Sequence, residues 1–207
     1  MIHIRSLLLL HTAAWGWLLL GGSSTTTTTT TWCVAALSFE IRPASTDNVA
    51  TARKILIQEK MNPLSISTDT LLVASTTTTE SSSNNNNNEK GMVGFGQIRK
   101  LNNQYSELAS LYVNPLYRSK GIGSAIVSEL LKRHDDDEEE EKEDVLSTTS
   151  GTTVCLLTLR PTIPFYEKHA FRVVEQERIP QPLQLEFAAG SLLSILLGNT
   201  LVCMVRD

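Results

Sequence analysis

Acid is missing from the start of this chain of 207 residues: Glu40 is the first carboxylate. Cysteine is scarce. Cys33, Cys155 and Cys203 are too few and too widely spaced for a metal cage or a disulfide framework, so no metal site is expected. Dense Lys/Arg stripes are absent as well, which argues against nucleic acid as a partner. No uninterrupted apolar run reaches the roughly 20 residues that a bilayer span requires. The longest, Leu7 to Leu20, is broken by His11, Thr12 and Gly16. No stable membrane span is therefore expected in the mature chain.

What is present in residues 1–38 reads as a targeting leader. Arg5 precedes the apolar stretch, which has the length of a signal-peptide core. Gly21-Gly22-Ser23-Ser24, seven threonines and the small residues of Trp32-Cys-Val-Ala-Ala36 follow. An acid-free, hydroxyl-rich stretch behind an apolar core resembles a plastid transit region behind a signal peptide. The expected destination is a plastid, with the secretory or endomembrane lumen as the alternative.

The net charge of −4 is unevenly distributed. Asp135 to Asp144 holds nine carboxylates against one lysine, or −8, which leaves the rest of the chain at +4. Hydrophobic content of 41% is enough for one core, so residues 39–207 are expected to form a single domain. Two polar segments cannot contribute to that core. Thr76 to Glu89 and the acidic run through about residue 152 are expected to be disordered inserts. Without leader and inserts roughly 135 residues remain, an ordinary size for one domain.

Those residues alternate between strand and helix patterns. Phe39 to Pro43 reads as a strand ended by proline, and Asp47 as the cap of a helix burying Val49, Ala52, Ile55 and Leu56. Leu71 to Ser75, Met92 to Leu101 and Tyr105 to Val113 read as strands, the last two joined by a tight turn at Asn102-Asn103-Gln104. Gly121 to His134 is an amphipathic helix, with Ile122, Ala125, Ile126, Leu130 and Leu131 on its buried stripe. Val154 to Leu159 is apolar enough for a sheet centre. A short helix over Ile163 to His169 leads to strands at Phe171 to Glu177 and Leu201 to Val205.

Between strand and helix lies Arg118-Ser119-Lys120-Gly121-Ile122-Gly123-Ser124. A helix start offers unpaired N–H groups and the positive end of a dipole, and two glycines let an anion approach the backbone. Walker A is absent, and a dinucleotide fingerprint would need glycine where Ile126 stands. An ordinary strand-to-helix turn with surface cations carries the same residues.

Leu111-Tyr-Val-Asn-Pro-Leu-Tyr-Arg-Ser-Lys-Gly-Ile-Gly123 resembles the acetyl-CoA signature of the GCN5-related N-acetyltransferases (GNAT). Phe165-Tyr-Glu-Lys-His-Ala-Phe-Arg-Val173 is similar to the family's second signature, and Phe39-Glu-Ile-Arg-Pro-Ala44 to its usual opening. The stretch from Ile179 to Arg206 further resembles plastid members. The resemblance implies an α/β GNAT fold, a mixed central sheet of six to seven strands flanked by about four helices. It also implies acetyl-CoA as co-substrate, its pyrophosphate on the turn from Arg118 through Ser119, Lys120, Gly121, Ile122 and Gly123 to Ser124. The pantetheine arm would pair with the backbone of Leu111, Tyr112 and Val113. An amine would attack the acetyl carbon directly.

Two catalytic roles follow from the same resemblance. Glu107 stands six residues before Val113, where histone-type members carry their base; strand alternation would put it on the face of Leu111 and Val113. Tyr166 stands where the family has the tyrosine that protonates the departing thiolate. Each also has an ordinary reading, a solvated glutamate and a core aromatic. His134 and His169 are expected at the surface, and Cys155 in the core. Two features depart from the family: Ala170 replaces a glycine, and the asparagine usual ahead of the tyrosine is missing. The expected acceptor is a protein amine, N-terminal or lysine. A small-molecule amine and a non-catalytic acetyl-CoA sensor are the alternatives.

Overall fold

The computed structural model describes residues 38–63, 65–76, 91–144, 152–196 and 198–206, side chains at 140–144, 193 and 196 excepted. The leader and the first insert fall almost entirely outside these residues. The chain runs β1 (Phe39–Pro43), α1 (Thr46–Gln58), β2 (Leu71–Thr76), β3 (Met92–Lys100), β4 (Tyr105–Val113), α2 (Ile122–Asp144) and β5 (Thr153–Leu159). It continues with α3 (Ile163–Glu167), β6 (Arg172–Val173), α4 (Gln184–Leu196) and β7 (Leu201–Arg206). The strands form one sheet in the order β1-β2-β3-β4-β5-β7-β6. Every pairing is antiparallel except β4 with β5.

Local chemistry explains most boundaries. Ser45, rather than Asp47, caps α1: its hydroxyl accepts from the Asn48 N–H, and Asn48 Oδ1 accepts from the Ser45 N–H. Asn102 Oδ1 accepts from the N–H groups of Gln104 and Tyr105, closing the turn between β3 and β4. On one sheet face α2 buries Ile122, Ile126, Val127, Leu130 and Leu131. Each such side chain contributes roughly 1.5–3 kcal/mol. Tyr166 of α3 and Phe171 join this layer. The opposite face packs α1 through Val49, Ala52 and Leu56, and beyond it Ile179, Leu183 and Phe187 around α4.

Three expectations need correction. The acidic run is helical as far as Asp144, continuing α2. Asp135 takes a two-pronged ion pair from Arg206 on β7, and Glu138 accepts from the Thr152 N–H, so the first half of the run is tied to the sheet. Only 145–151 of the second insert lies outside the described residues. The strand expected over Phe171 to Glu177 shrinks to Arg172–Val173, and Gln176–Arg178 forms a single 3₁₀ turn. α4 was not anticipated at all. Among the described residues no helix is long and apolar enough to cross a membrane.

Candidate active site

β4 and β5 are paired only at Tyr105↔Thr153, Ser106↔Val154 and Glu107↔Cys155. Beyond Glu107 they part. β5 stays with β7 as far as Leu159↔Leu201, while β4 stays with β3 as far as Val113↔Gly94. Ser110 marks the divergence, with a left-handed φ of 57°. Ala109 faces Gln97 and Tyr112 faces Phe95, so three steps of β4 span two of β3. That is a β-bulge, which bends the strand carrying the extra residue. The edge from Leu108 to Val113 consequently has no β5 partner, and its backbone groups can receive an extended arm as a further strand. Leu111, Tyr112 and Val113 all lie on this edge.

The bulge also overturns the expected alternation. Leu108, Leu111 and Val113 pack towards α2, whereas Tyr112 stacks on Phe95 on the α1 side, ring centroids 5.3 Å apart. Glu107 shares the Tyr112 face, opposite Leu111 and Val113. One residue inserted at Ser110 reverses the parity between Glu107 and the end of the strand.

The open edge leads, across a single 3₁₀ turn at Pro115–Tyr117, to the glycine turn. Arg118 folds back, its Nε–H donating to the Val113 carbonyl at 2.9 Å. The Lys120 ammonium lies 5.2 Å from the centre of the Tyr117 ring. Ser119 and Gly121 both adopt left-handed backbone, φ 61° and 82°. The Ala125 N–H donates to the Gly121 carbonyl at 3.0 Å, so the amides of Ile122, Gly123 and Ser124 precede the helical ladder. The two glycines serve different ends. A Cβ on Gly121 would meet nothing, so its demand is conformational. A Cβ on Gly123 would touch Phe165 and Val113 at 3.5 Å, leaving little room for more. Free amides, a cradle without side chains, exposed cations and an adjoining open strand edge fit a pyrophosphate followed by a pantetheine arm.

Glu107 sits where the cleft closes. It is buried, 5% exposed, and Arg99 on β3 holds Oε2 through Nε at 2.7 Å and Nη2 at 2.5 Å. Burial pushes its carboxyl above the usual glutamate range, and Arg99 opposes that shift without cancelling it. Tyr166 belongs to the other face. It is 8% exposed, packed edge-on against Phe165 and Phe171. Burial pushes its phenol up to about 12, with a hydrogen bond to Thr158 of β5 pulling the other way. The two candidates thus lie on opposite faces of the sheet, Glu107 on β4 and Tyr166 bonded to Thr158 of β5.

Neighbouring groups have other parts. Cys155 is fully buried, as Val154 and Leu156 imply, and burial pushes its thiol up to about 12, far from a reactive thiolate. His134 and His169 are not simple surface histidines: the ring nitrogens of His134 and Nε2 of His169 are buried, with His134 Nδ1 3.7 Å from Asp135 Oδ1. Burial lowers the pKa of His169. Arg99 and Glu186 were missed. Arg99 was legible, because the turn at Asn102 fixes the register that sets it opposite Glu107.

Residues 84–173 match the family model for the acetyltransferase (GNAT) domain. No curated protein matches the chain by sequence. Among solved structures it is similar to Rv2747 from Mycobacterium tuberculosis in complex with CoA, with TM-score 0.53 and 20% identity over 79% of this chain and 97% of that one. N-acetylglutamate synthase from Neisseria gonorrhoeae, complexed with coenzyme A and N-acetyl-glutamate, gives TM-score 0.54 and 13% identity over 82% of this chain and 35% of that one. This chain therefore spans about a third of that synthase. An acetyltransferase of the GNAT family from Staphylococcus aureus Mu50 gives TM-score 0.50 and 15% identity over 82% and 98%. The open β4 edge and the glycine turn at the head of α2 both lie within residues 84–173, the stretch that matches the acetyltransferase (GNAT) domain model, on a fold similar to that of solved GNAT structures.

Proposed function

We propose that the chain is an acetyl-CoA-dependent N-acetyltransferase that moves acetyl directly onto a protein amine, an N-terminal α-amine or a lysine. One observation carries this reading: the unpaired edge of β4 leads, across the single 3₁₀ turn Pro115–Tyr117, to the glycine turn, with Glu107 on β4 and Tyr166 on the opposite face of the sheet. Acetyl-CoA supplies an activated thioester. The amides of Ile122 to Ser124 and the cations Arg118 and Lys120 hold its pyrophosphate, and the β4 edge from Leu111 to Val113 aligns its arm. Backbone N–H groups freed by the bulge are available to the thioester oxygen as charge develops there.

Opposite-sided residues suit direct transfer. The amine enters from the Glu107 face, and Glu107 takes its proton, directly or through one water. The new C–N bond forms as the C–S bond breaks, and Tyr166 returns a proton to the departing sulfur. A phenol held near pKa 12 stays protonated across the working range, as this step requires. Glu107 is competent only when ionised, so activity falls as pH drops through its raised pKa, above the ordinary glutamate value of 4.5. The acceptor amine adds a dependence at higher pH, because α-amines titrate near 8 and lysines near 10.4.

The test is incubation with acetyl-CoA and a peptide library carrying free N-termini and lysines, followed by mass spectrometry of the acetylated positions. Glu107→Gln should lower kcat by roughly 10²–10⁴-fold near neutral pH, with part of the loss recovered in alkali. Full turnover in that variant would remove Glu107 as base. No acetylated peptide under any condition would remove the protein-amine reading. The leader belongs to the same proposal as a plastid address: residues 1–45 fused to a fluorescent protein should reach the plastid, and secretory accumulation would redirect the enzyme to lumenal substrates.

A further inference from the structure

Glu107 does not have Arg99 to itself. The Arg99 Nη2 that contacts Glu107 also donates to Glu186 Oε1 at 3.2 Å and Oε2 at 3.4 Å. Glu186 lies in the first turn of α4, 87 residues away in sequence. Exposure is graded along the three side chains: 7% for Glu107, 22% for Arg99 and 43% for Glu186. Near them α4 and the segment before it are anchored by Leu183 and Phe187, while Leu185, Leu192 and Ile195 of the helix stay exposed. A planar guanidinium offers its donors in a fixed fork, so where Glu186 stands determines how Arg99 meets Glu107.

We infer that Glu186 is a positioning residue for transfer: by sharing Arg99 with Glu107 it fixes the orientation of the base and limits how far Arg99 neutralises it. The docking of α4 on the sheet then sets the basicity of the site. The inference rests on Glu107 being the base. Among the described residues, the titratable groups around it are Arg99 from β3, Glu186 from α4, the thiols of Cys155 on β5 and Cys203 on β7, and the phenol of Tyr105 on its own strand. Burial pushes both thiols up to about 12, so they carry no charge at working pH. The balance is thus between one cation and one competing anion. Glu186 raises the pKa of Glu107, in the same direction as burial and against Arg99.

Two measurements on the full chain test this. The first is the pH profile of kcat/KM with acetyl-CoA and the peptide library. The second is the ¹³C titration of the Glu107 carboxyl, assigned by its loss in Glu107→Gln, which needs no turnover. Glu186→Gln removes the competing anion, so both readouts should move to lower pH, and the shift should shrink in 1 M salt because Glu186 is partly exposed. The KM for acetyl-CoA should stay within about two-fold, since Glu186 lies away from the glycine turn. Arg99→Lys keeps a charge but loses the fork, and both readouts should move to higher pH. Arg133→Gln, which breaks an exposed pair with Glu129 on α2, should move neither. Coincident wild-type and Glu186→Gln curves in both measurements would overturn the inference while leaving Glu107 as base. Wild-type turnover in Glu107→Gln would take down the base reading, and the inference with it, even if the carboxyl titration still shifted.

Discussion

β5 has β7 on one side and β4 on the other, and the two neighbours behave differently. With β7 it pairs from Val154↔Arg206 to Leu159↔Leu201 in unbroken register. With β4 it pairs at three positions and then lets go. Composition does not explain the contrast, since β4 is as apolar beyond Glu107 as β5 is. The difference comes from the backbone at Ser110. A regular ladder satisfies every amide within the sheet; a bulge leaves a run of them for something else. The closed side of β5 holds part of the core, with Cys155, Leu156 and Met204 fully or almost fully buried. The open side is where the candidate chemistry collects. A closed ladder and an open edge thus share a single strand.

Deleting Ser110 should break this contrast with the largest effect. Without the extra residue Leu111, Tyr112 and Val113 keep their faces, but β4 runs on in regular register with β3 and is no longer bent away from β5. We expect the fold to survive, with stability changed by about 2 kcal/mol or less, and acetyl-CoA binding to be lost as the β4 edge closes. Denaturant unfolding and calorimetry would read both. Ser110→Gly keeps the bulge and removes a left-handed serine, so it should fold and bind like the wild type. A stable deletion variant with normal binding would show that the bulge does not set the cleft.

Next comes the turn that continues the open edge. Gly121→Asp forces a non-glycine residue to φ 82° and puts a carboxylate beside the pyrophosphate cradle. Acetyl-CoA affinity should fall by about 3 kcal/mol, more than a hundredfold, from strain and like-charge repulsion together. Gly121→Ala isolates the strain, because its Cβ would meet nothing, and should cost about 1–2 kcal/mol. Unchanged affinity in a folded Gly121→Asp would exclude the turn as the anion site.

Tyr166→Phe probes the β5 wall and should have a smaller effect. The ring packing against Phe165 and Phe171 survives, and only the hydroxyl is lost. Transfer should slow about 10²-fold with acetyl-CoA binding within a few-fold, because the proton is needed mainly as sulfur departs. Full kcat would leave Tyr166 as a core aromatic.

How much of this could be read from residue order depends on the kind of information involved. β1, β2, β3, β4, β5 and β7 were legible to within a residue or two because alternation and apolar runs are local signals. The glycine turn was legible because a strand, two glycines and a helix stripe adjoin in sequence. The bulge was not: Ser110 has no signature, and its φ is imposed by pairing with β3 and packing under α2. The same mistake reversed the face assigned to Glu107. Residues 135–144 read as unfoldable because carboxylates repel, yet Asp135 gains Arg206 from β7, a partner 71 residues distant. α4 escaped because its apolar residues do not form one clean stripe; Leu185, Leu192 and Ile195 face outwards while Phe187 packs inwards. Its contact with Arg99 through Glu186 spans 87 residues and leaves no trace in local pattern.

The smallest effect concerns the closed side and returns to the departure at Ala170. Where the family usually has glycine before Phe171, this chain has alanine, and its φ is 64°. The Tyr166 carbonyl accepts from the N–H groups of His169 and Phe171, so the turn after α3 is fixed with Ala170 inside it. A left-handed alanine costs about 1–2 kcal/mol, while glycine loses roughly 0.5–1 kcal/mol more chain entropy on folding. The difference favours glycine by roughly 0.5–1 kcal/mol. Ala170→Gly should therefore raise Tm by roughly 1–4 °C in a domain of this size without changing kcat, since the turn leads into β6 and lies outside the cleft. A thermal melt and a turnover assay on the same preparation are enough. A rise in Tm accompanied by slower transfer would mean that strain at Ala170 reaches Tyr166 four residues upstream, and that the two edges of β5 are less separate than their registers imply.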